Sequence, residues 1–158
     1  MQRGKRLTKD NQQDGLKSYV SSTASNNGVD NFISNDSSVR TFSNCLSIAN
    51  SGSVGASFYH SYEFVASDHI THLKCNDMNM FAYLFIATLT SRFSEKYNFS
   101  REINDKRISR EKILLPMNEK SEPDYEFMEQ YIKNLEYKKI NLYLDFLERR
   151  NIIQTHQI

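Results

Sequence analysis

The chain of 158 residues lacks the features that mark secreted, membrane-spanning and disulfide-bonded proteins. Its two cysteines, Cys45 and Cys75, are too few for a disulfide framework, which favours a reducing compartment. The longest apolar run, residues 80–89, has about half the length that a membrane span requires. Residues 1–15 are basic and polar and contain no apolar segment of a secretory signal. These absences predict a soluble, cytoplasmic protein that does not use a membrane.

Tryptophan is absent and proline occurs only twice, but the chain has enough apolar residues to form a core. Nine tyrosines and ten phenylalanines contribute to a hydrophobic content of 39%, so we expect one domain with an appended element. The net charge of +1 argues against a strongly basic, histone-like protein. A balanced total can still conceal a basic face, so nucleic-acid binding is compatible with this charge.

Residues 19–66 are nearly uncharged and rich in serine, asparagine and glycine, but they do not have the pattern of a disordered tract. Apolar residues recur at strand-like spacing, and turn-forming clusters such as Asn26-Asn27-Gly28 separate them. We therefore predict a curved, mostly antiparallel sheet. The apolar positions are Tyr19 and Val20, Val29, Phe32 and Ile33, Leu46 and Ile48, Phe58 and Tyr59, and Phe64 and Val65.

Helices and one further strand are predicted in the second half of the chain. Residues 79–93 are mostly apolar and long enough for a buried helix packed on the sheet. Residues 112–115 are predicted to form a last strand, which Pro116 stops. Pro123 suits the first turn of the long helix that follows.

This long helix has more apolar surface than a single contact with its own domain would cover. Five of its residues follow a spacing close to a heptad seam, which predicts pairing with a second helix. A plain C-terminal core helix is the alternative interpretation. The pairing candidates are Met128, Ile132, Leu135, Leu142 and Phe146.

Patterns typical of catalysis and metal binding are weak. His69, His72 and Cys75 would face one side of a helix and could hold zinc, but the flanking residues favour strands, in which this spacing alternates faces. A nuclease-like tripeptide, Glu136-Tyr137-Lys138, falls within the predicted long helix, where no acidic residue is evidently placed to share a metal. No combination of nucleophile, base and oxyanion donors is evident. We therefore expect no enzymatic activity, no cofactor and no metal, with a zinc enzyme as a weaker alternative.

Small hydrogen-bonding side chains on turns are abundant, as are basic residues interleaved with aromatic ones. Residues 96–101, with the sequence Lys-Tyr-Asn-Phe-Ser-Arg, are the best example. Arginine and lysine can bind guanine edges, asparagine and glutamine can bind adenine, and serine and threonine can bind phosphates or bases. Loops of this kind on a rigid sheet suit surface recognition better than catalysis.

Several stretches along the chain resemble the target recognition domain of type I restriction-modification specificity subunits and of related subunits in some type II systems. No single stretch is decisive, but their order and spacing are specific, and the last is the most specific of all. The stretches are GKRLTKDNQ (4–12), YVSSTASNNGVDNFI (19–33), LSIANSGSVGASFYHSYEFVASDHITHL (46–73), LFIATL (84–89), KYNFSREI (96–103) and REKILLPMNEKSEPDYEFMEQYIK (110–133).

The resemblance implies an α+β fold with two parts. A globular target recognition domain, with a mixed or antiparallel sheet and packed helices, is expected over residues 1–120, without the first element that the family usually has. A coiled-coil-like spacer and dimerisation helix is expected over residues 121–153. This arrangement would make the chain half of a specificity subunit, or a fragment of one.

The resemblance also implies partners. Such a domain reads one half of a bipartite site in double-stranded DNA, and its helix pairs with that of a second specificity half or a second copy. A methyltransferase subunit, and through it a restriction subunit, would carry out the chemistry. The alternative is a truncated interaction protein that pairs through its helix and modulates an intact specificity subunit without binding DNA.

Within this resemblance, three groups of residues are the candidates for DNA contact. The serine- and asparagine-rich loop and the basic segment near residue 100 are expected to meet the DNA directly, and the basic residues near the start to meet phosphates. Asn26 and Asn27 could instead serve only to form their turn. The candidates are Lys5, Arg6, Lys9, Ser21, Ser22, Thr23, Asn26, Asn27, Tyr97, Ser100, Arg101, Lys106 and Arg107.

Overall fold

A computed structural model describes the backbone of residues 1–155 and the side chains of residues 1–150. The chain divides into two compact units, Met1–Leu115 and a second that begins at Pro116. The first contains two β-sheets and two helices, and the second contains one long helix. The predicted α+β class, with a mixed and antiparallel sheet arrangement and a long C-terminal helix, is confirmed.

The first unit is built from eight strands and two α-helices, with short 3-10 turns between them. One sheet has the strand order β1-β8-β5-β6 and the other β3-β2-β7-β4. All pairs are antiparallel except β2 with β7. The strands are β1 (Gln2–Arg3), β2 (Asp14–Val20), β3 (Val29–Ile33), β4 (Thr41–Phe42), β5 (Cys45–Ala49), β6 (Ser57–His60), β7 (Phe64–Ala66) and β8 (Ile70–Leu73), and the helices are α1 (Met80–Thr90) and α2 (Asp105–Ile108).

Each of the five apolar groups predicted to form strands lies in a strand, but the single curved sheet was wrong. The chain leaves one sheet after β6 and enters the other at β7, which pairs in parallel with β2. Apolar spacing shows where a strand lies, whereas the choice of its neighbour depends on contacts far along the chain. The strands β1 and β4 have two residues each, which is too short for a periodic pattern.

Strand β5 is the centre of the first unit, since all five of its residues are buried. Leu46 and Ile48 pack on one side with Tyr83 and Ile86 of α1. On its other side, Cys45 and Ala49 pack in a second cluster. The remaining members of that cluster are Val20, Phe64, Ala66 and Ile70. A third cluster contains Tyr19, Ile33 and Val65. Strand β5 lies between the first two clusters, which makes it a strand buried on both faces.

The predicted helix over residues 79–93 is confirmed, with somewhat different ends. Helix α1 begins at Met80, and the side chain of Asn79 caps it by accepting a hydrogen bond from the backbone N–H of Ala82 at 3.0 Å. A 3-10 turn over Ser91–Glu95 continues from its end.

The strand predicted over residues 112–115 was wrong, because this segment runs without a strand partner. Ile113 and Leu115 pack against the core on the α1 side, while Leu114 between them is 93% exposed. This alternation of half-buried and exposed residues has the period of a strand. The period alone does not supply the ladder of hydrogen bonds that defines one.

In the second unit, helix α3 (Tyr125–Thr155) follows a tight turn. The side chain of Asn118 accepts hydrogen bonds from the backbone N–H groups of Lys120 and Glu122. Asp124 then caps the helix by accepting from the N–H of Phe127 at 2.8 Å. In the described part of the chain, no helix is both long and apolar enough to cross a bilayer.

The five residues predicted for helix pairing differ in exposure within this single chain. Met128 and Ile132 are buried, whereas Leu135, Leu142 and Phe146 are exposed. Pairing therefore stays a prediction, and only the last three present side chains to a partner.

Acidification is expected to destabilise the fold through His60. This side chain is fully buried on β6, with Nε2 2.9 Å from Ser47 Oγ and Nδ1 3.0 Å from Tyr62 Oη. Burial lowers the pKa of its imidazole from 6.5 to about 4. Between these two pH values the unfolded chain binds a proton at His60 that the folded chain does not. The free energy of unfolding therefore decreases as the pH is lowered, by at most about 3 kcal/mol.

Urea unfolding at pH 6.5 and near pH 4 measures this effect. The His60→Gln variant cannot titrate at this position and should lose less stability across the interval than the wild-type chain. Equal losses in the two proteins would assign the acid sensitivity to other groups.

Candidate nucleic-acid interface

The structure brings members of two of the three candidate groups together in one groove, namely Arg6, Lys9, Ser21 and Ser22. The other members of these two groups, Lys5, Thr23, Asn26 and Asn27, do not line it. Backbone hydrogen bonds from Gly4 to Ile70 and from Lys5 to Ala66 hold the N-terminal segment on the sheets, and the Tyr19 hydroxyl donates to the carbonyl of Leu7. The segment borders an open groove of about 280 Å³, called here the first groove. Its polar and charged lining includes Arg6, Lys9, Ser21, Ser22, Asp30, Asp68 and His69.

The loop between β2 and β3 has a backbone that its sequence explains. Asn26, Asn27 and Gly28 have φ values of 50°, 54° and 82°, a left-handed region that asparagine and glycine tolerate best. The N–H of Ser21 donates to the carbonyl of Gly28 and closes the loop. The two asparagine side chains are exposed, so the same residues form the turn and present amide groups to solvent.

Residues 50–55, called here the junction turn, connect this loop to the rest of the surface. The N–H of Ser53 donates to the carbonyl of Ser22 at 3.1 Å. Gly52 lies so close to Ser22 that a Cβ atom there would be 2.8 Å from the same carbonyl oxygen. On the other side, a Cβ atom on Gly55 would lie 3.0 Å from the carbonyl oxygen of Thr90.

A second groove of about 490 Å³ lies along the junction turn. The loop after β2 contributes Ala24, and the segment after α1 contributes two serines, Ser91 and Ser94. The remaining lining residues are Gly52, Ser53, Val54, Ala56, Tyr97, Asn98 and Phe99. Because Ser22 of the first groove bonds to Ser53 of the second, the two grooves are neighbours on one surface.

Tyr97 supports the basic side chains beside it. It is only 3% exposed, and its ring lies 5.5 Å from both the Lys96 ammonium and the Arg101 guanidinium. Glu111 accepts hydrogen bonds from Lys96 and from the Tyr97 hydroxyl, which together lower the pKa of its carboxyl. Tyr97 therefore holds two cations at the rim of the second groove rather than offering a ring face to solvent.

The other candidates of this group are placed differently. Ser100 is exposed on the turn that carries Asn98. Lys106 and Arg107 lie on α2, whose N-terminus Asn104 caps, and they line neither groove. The guanidinium of Arg107 donates to the carbonyl of Glu102 at 2.5 Å, so it has a local structural partner.

Reasoning from the sequence missed several residues of the two grooves. Asp30, Asp68 and His69 line the first groove, and Nδ1 of His69 lies 2.7 Å from Ser51 Oγ. Burial, and then the charges of Asp68 and Asp30, raise the pKa of Tyr19 beneath them. These residues lie next to turns, where the sequence has no periodic pattern of apolar residues that could have predicted their place in a groove.

The three residues of the zinc alternative have separate environments. His72 stacks on Phe42 with ring centroids 4.0 Å apart, and its Nδ1 lies 2.8 Å from the carbonyl oxygen of Gln2. His69 faces Ser51, and Cys75 has its sulfur 4.0 Å from Asp77. Among the residues that the structure describes, no three potential ligands are placed to share a metal.

The two neighbouring grooves present hydroxyl, amide and cationic groups on one surface, and comparison with known proteins identifies the family of the chain. Residues 1–143 match the type I restriction modification DNA specificity domain, and the chain belongs to this family, as the sequence resemblance predicted.

One relative is the type II restriction enzyme BgcI specificity subunit S.BcgI of Heyndrickxia coagulans. It is 35% identical over 139 residues, which cover 87% of this chain. The matched segment spans 40% of the length of that relative.

Neutralising the cations of the first groove should reduce the salt dependence of DNA binding. If Arg6 and Lys9 each contact a phosphate, the double substitution to alanine should lower the slope of log K against log salt by about 2. Lys74→Ala is the matched control, because Lys74 is exposed and lines neither groove. Fluorescence anisotropy over a salt series measures the slopes, and an unchanged slope in the double variant would remove both residues from the interface.

Gly52→Ala should weaken DNA binding through the junction turn. The residue has φ +57°, and an added Cβ would meet the Ser22 carbonyl at 2.8 Å, so the loop must shift. Strain of about 1–2 kcal/mol is expected from the left-handed backbone alone. Asn44→Ala is a destabilising control away from both grooves, because alanine tolerates φ 49° less well than asparagine and the Tyr59 hydroxyl loses its acceptor.

Thermal unfolding and DNA binding of the two variants separate the effects. Both variants should have a lower Tm, but only Gly52→Ala should bind DNA more weakly than the wild-type chain. Equal affinities in Gly52→Ala and Asn44→Ala would show that the position of the Ser22 loop has no part in binding.

Proposed function

We propose that the chain reads one half of a bipartite DNA sequence as half of a restriction-modification specificity subunit. The observation that carries the proposal is the pair of adjoining grooves, both built from loops around the junction turn, in a member of the DNA specificity domain family. The S.BcgI relative is itself a specificity subunit of a restriction enzyme, which supports the same role.

The lining of the grooves suits the two tasks of sequence-specific binding. Arg6 and Lys9 supply cations that can bind phosphates and fix the position of the chain on the duplex. Ser21 and Ser22 add hydroxyl groups to the first groove. Outside the two grooves, the exposed amides of Asn26 and Asn27 on the same loop can bind adenine edges. These groups project from a frame whose core strand is buried on both faces, so binding requires little reorganisation.

Helix α3 supports the bipartite part of the proposal. Its 31 residues correspond to roughly 46 Å, long enough to separate two half-sites by more than one turn of DNA. Leu135, Leu142 and Phe146 are exposed and can pair with a second specificity half or a second copy of the chain. Further exposed apolar residues of this helix are Phe127, Tyr131, Tyr137, Ile140, Tyr143 and Leu144.

We assign no reaction to the chain itself. In this proposal a methyltransferase subunit bound to it performs methylation, and a restriction subunit performs cleavage through that complex. The exposed apolar side chains of α3 also favour a second candidate, in which the chain pairs with an intact specificity subunit and modulates it without binding DNA.

Co-expression with a methyltransferase subunit from the same genome tests the proposal. We expect the two proteins to co-purify, and sequencing of methylated DNA should show a motif in two blocks with a fixed gap. Replacing Leu135, Leu142 and Phe146 together by serine should abolish the two-block motif. The matched control replaces the exposed polar residues Lys138, Lys139 and Glu148 by serine.

The outcomes distinguish the two candidates. Methylation that requires the chain but not the three apolar residues would contradict helix pairing. Capture of an intact specificity subunit, with no DNA binding and no methylated motif, would favour the modulator over the DNA-reading half-subunit.

A further inference from the structure

We infer that Phe99 is an apolar wedge that enters the DNA and stacks against a base step. This inference rests on the proposed function and adds to it a residue that reads DNA by deformation. The side chain of Phe99 is 80% exposed, although burying it would be favourable by about 1.5–3 kcal/mol. Isolated exposed apolar residues are common, so the argument depends on what surrounds this one.

The backbone that carries Phe99 is fixed. Residues 98–101 form a tight turn in which the N–H of Arg101 donates to the carbonyl of Asn98 at 3.0 Å. The side-chain oxygen of Asn98 also accepts from the N–H groups of Ser100 and Arg101, each at 3.0 Å. None of these residues has a positive φ, and asparagine is favoured at the first position of such a turn. The Phe99 ring therefore projects from a turn whose backbone is held by hydrogen bonds.

The base of the turn is attached to the core. Tyr97 is buried in the cluster that contains Tyr83 and Ile86, and the backbone N–H of Tyr97 donates to the carbonyl of Phe93 at 2.8 Å. At the other end, the N–H of Ile103 donates to the carbonyl of Asn50 at 2.9 Å. Phe99 thus stands between two anchored residues, and its projection does not depend on loop mobility.

The charges beside Phe99 identify what it would enter. Lys96 and Arg101 lie 5.5 Å from the Tyr97 ring at the base of the turn, and Lys96 is paired with Glu111 at 2.7 Å, so Arg101 provides the excess positive charge here. Phe99 itself lines the second groove together with Ser91 and Ser94, whose hydroxyls donate to the backbone carbonyls of Thr88 and Ser91. Phenylalanine is among the side chains that unstack base steps, and the Arg101 cation beside the turn can bind a phosphate next to such a step.

Leu114 is the contrast within the same chain. It is 93% exposed, but it lies in an extended segment without a strand partner and lines neither groove. A comparison of the two positions separates the loss of a wedge from the loss of an exposed apolar side chain.

The test uses the full chain and a duplex selected from random sequences by the wild-type chain. Phe99→Ala should weaken binding on the order of 5- to 100-fold, as removal of a base-stacking ring does. Asn98→Ala, which removes the side-chain brace, should weaken it less, and Leu114→Ala should bind within about twofold of wild type. With 2-aminopurine at successive positions, one step should brighten on binding wild type, and Phe99→Ala should not produce this change.

Each contrary result has a separate meaning. If the wild-type chain selects and binds no duplex, the proposed function fails and the wedge with it. If the wild-type chain binds the duplex and Phe99→Ala binds it equally well, the wedge alone is overturned. The same holds if Phe99→Ala binds more weakly but gives the same 2-aminopurine fluorescence as wild type at every position. Loss of methyltransferase co-purification with unchanged DNA binding would instead make Phe99 a protein contact, which also overturns it.

Discussion

The backbone of Asn50 is the constraint on which the candidate interface depends. Its N–H donates to the carbonyl of His69, its carbonyl accepts from the N–H of Ile103, and its side-chain oxygen accepts from the Thr71 hydroxyl. These bonds connect the end of β5 to β8 and to the segment that follows the Phe99 turn. Because Asn50 is fully buried, breaking any of them would leave a desolvated polar group, which is costly. The junction turn that begins at this residue therefore has a fixed position.

Two glycines then let other loops approach the junction turn. Gly52 lies so close to Ser22 that a Cβ there would force a shift, and Gly55 lies against the end of α1 at a distance where a Cβ would be crowded. As a result, residues far apart in the chain form one surface with two adjoining grooves. Rigid loops on a doubly covered strand need little reordering on binding, which suits recognition of a duplex. The packing of the loops on the junction turn thus fixes the spacing of the groups that they present to a ligand.

Part of the fold and of the site followed from local sequence. The Asn-Asn-Gly turn, helix α1 and the apolar strand pairs are local features, and each was predicted. The strand over residues 112–115 was wrong because an alternation of half-buried and exposed residues does not by itself supply a pairing partner. Tyr97 was selected with its basic neighbours, yet its ring is buried under them. Whether one residue of a polar segment is buried depends on the core residues that pack against it. Those residues are distant in sequence, so the segment itself does not reveal them.

The sequence by itself determined the local backbone conformations, the positions of most strands and helices, and membership of the DNA specificity domain family. These depend on residues close together in the chain or on the order of motifs along it. Only the tertiary structure decided that there are two sheets, that His69 and Asp68 join Arg6 in one groove, and that Phe99 is exposed where Tyr97 is buried. The reason is that pairing, groove lining and exposure all arise from contacts between segments that are distant in sequence.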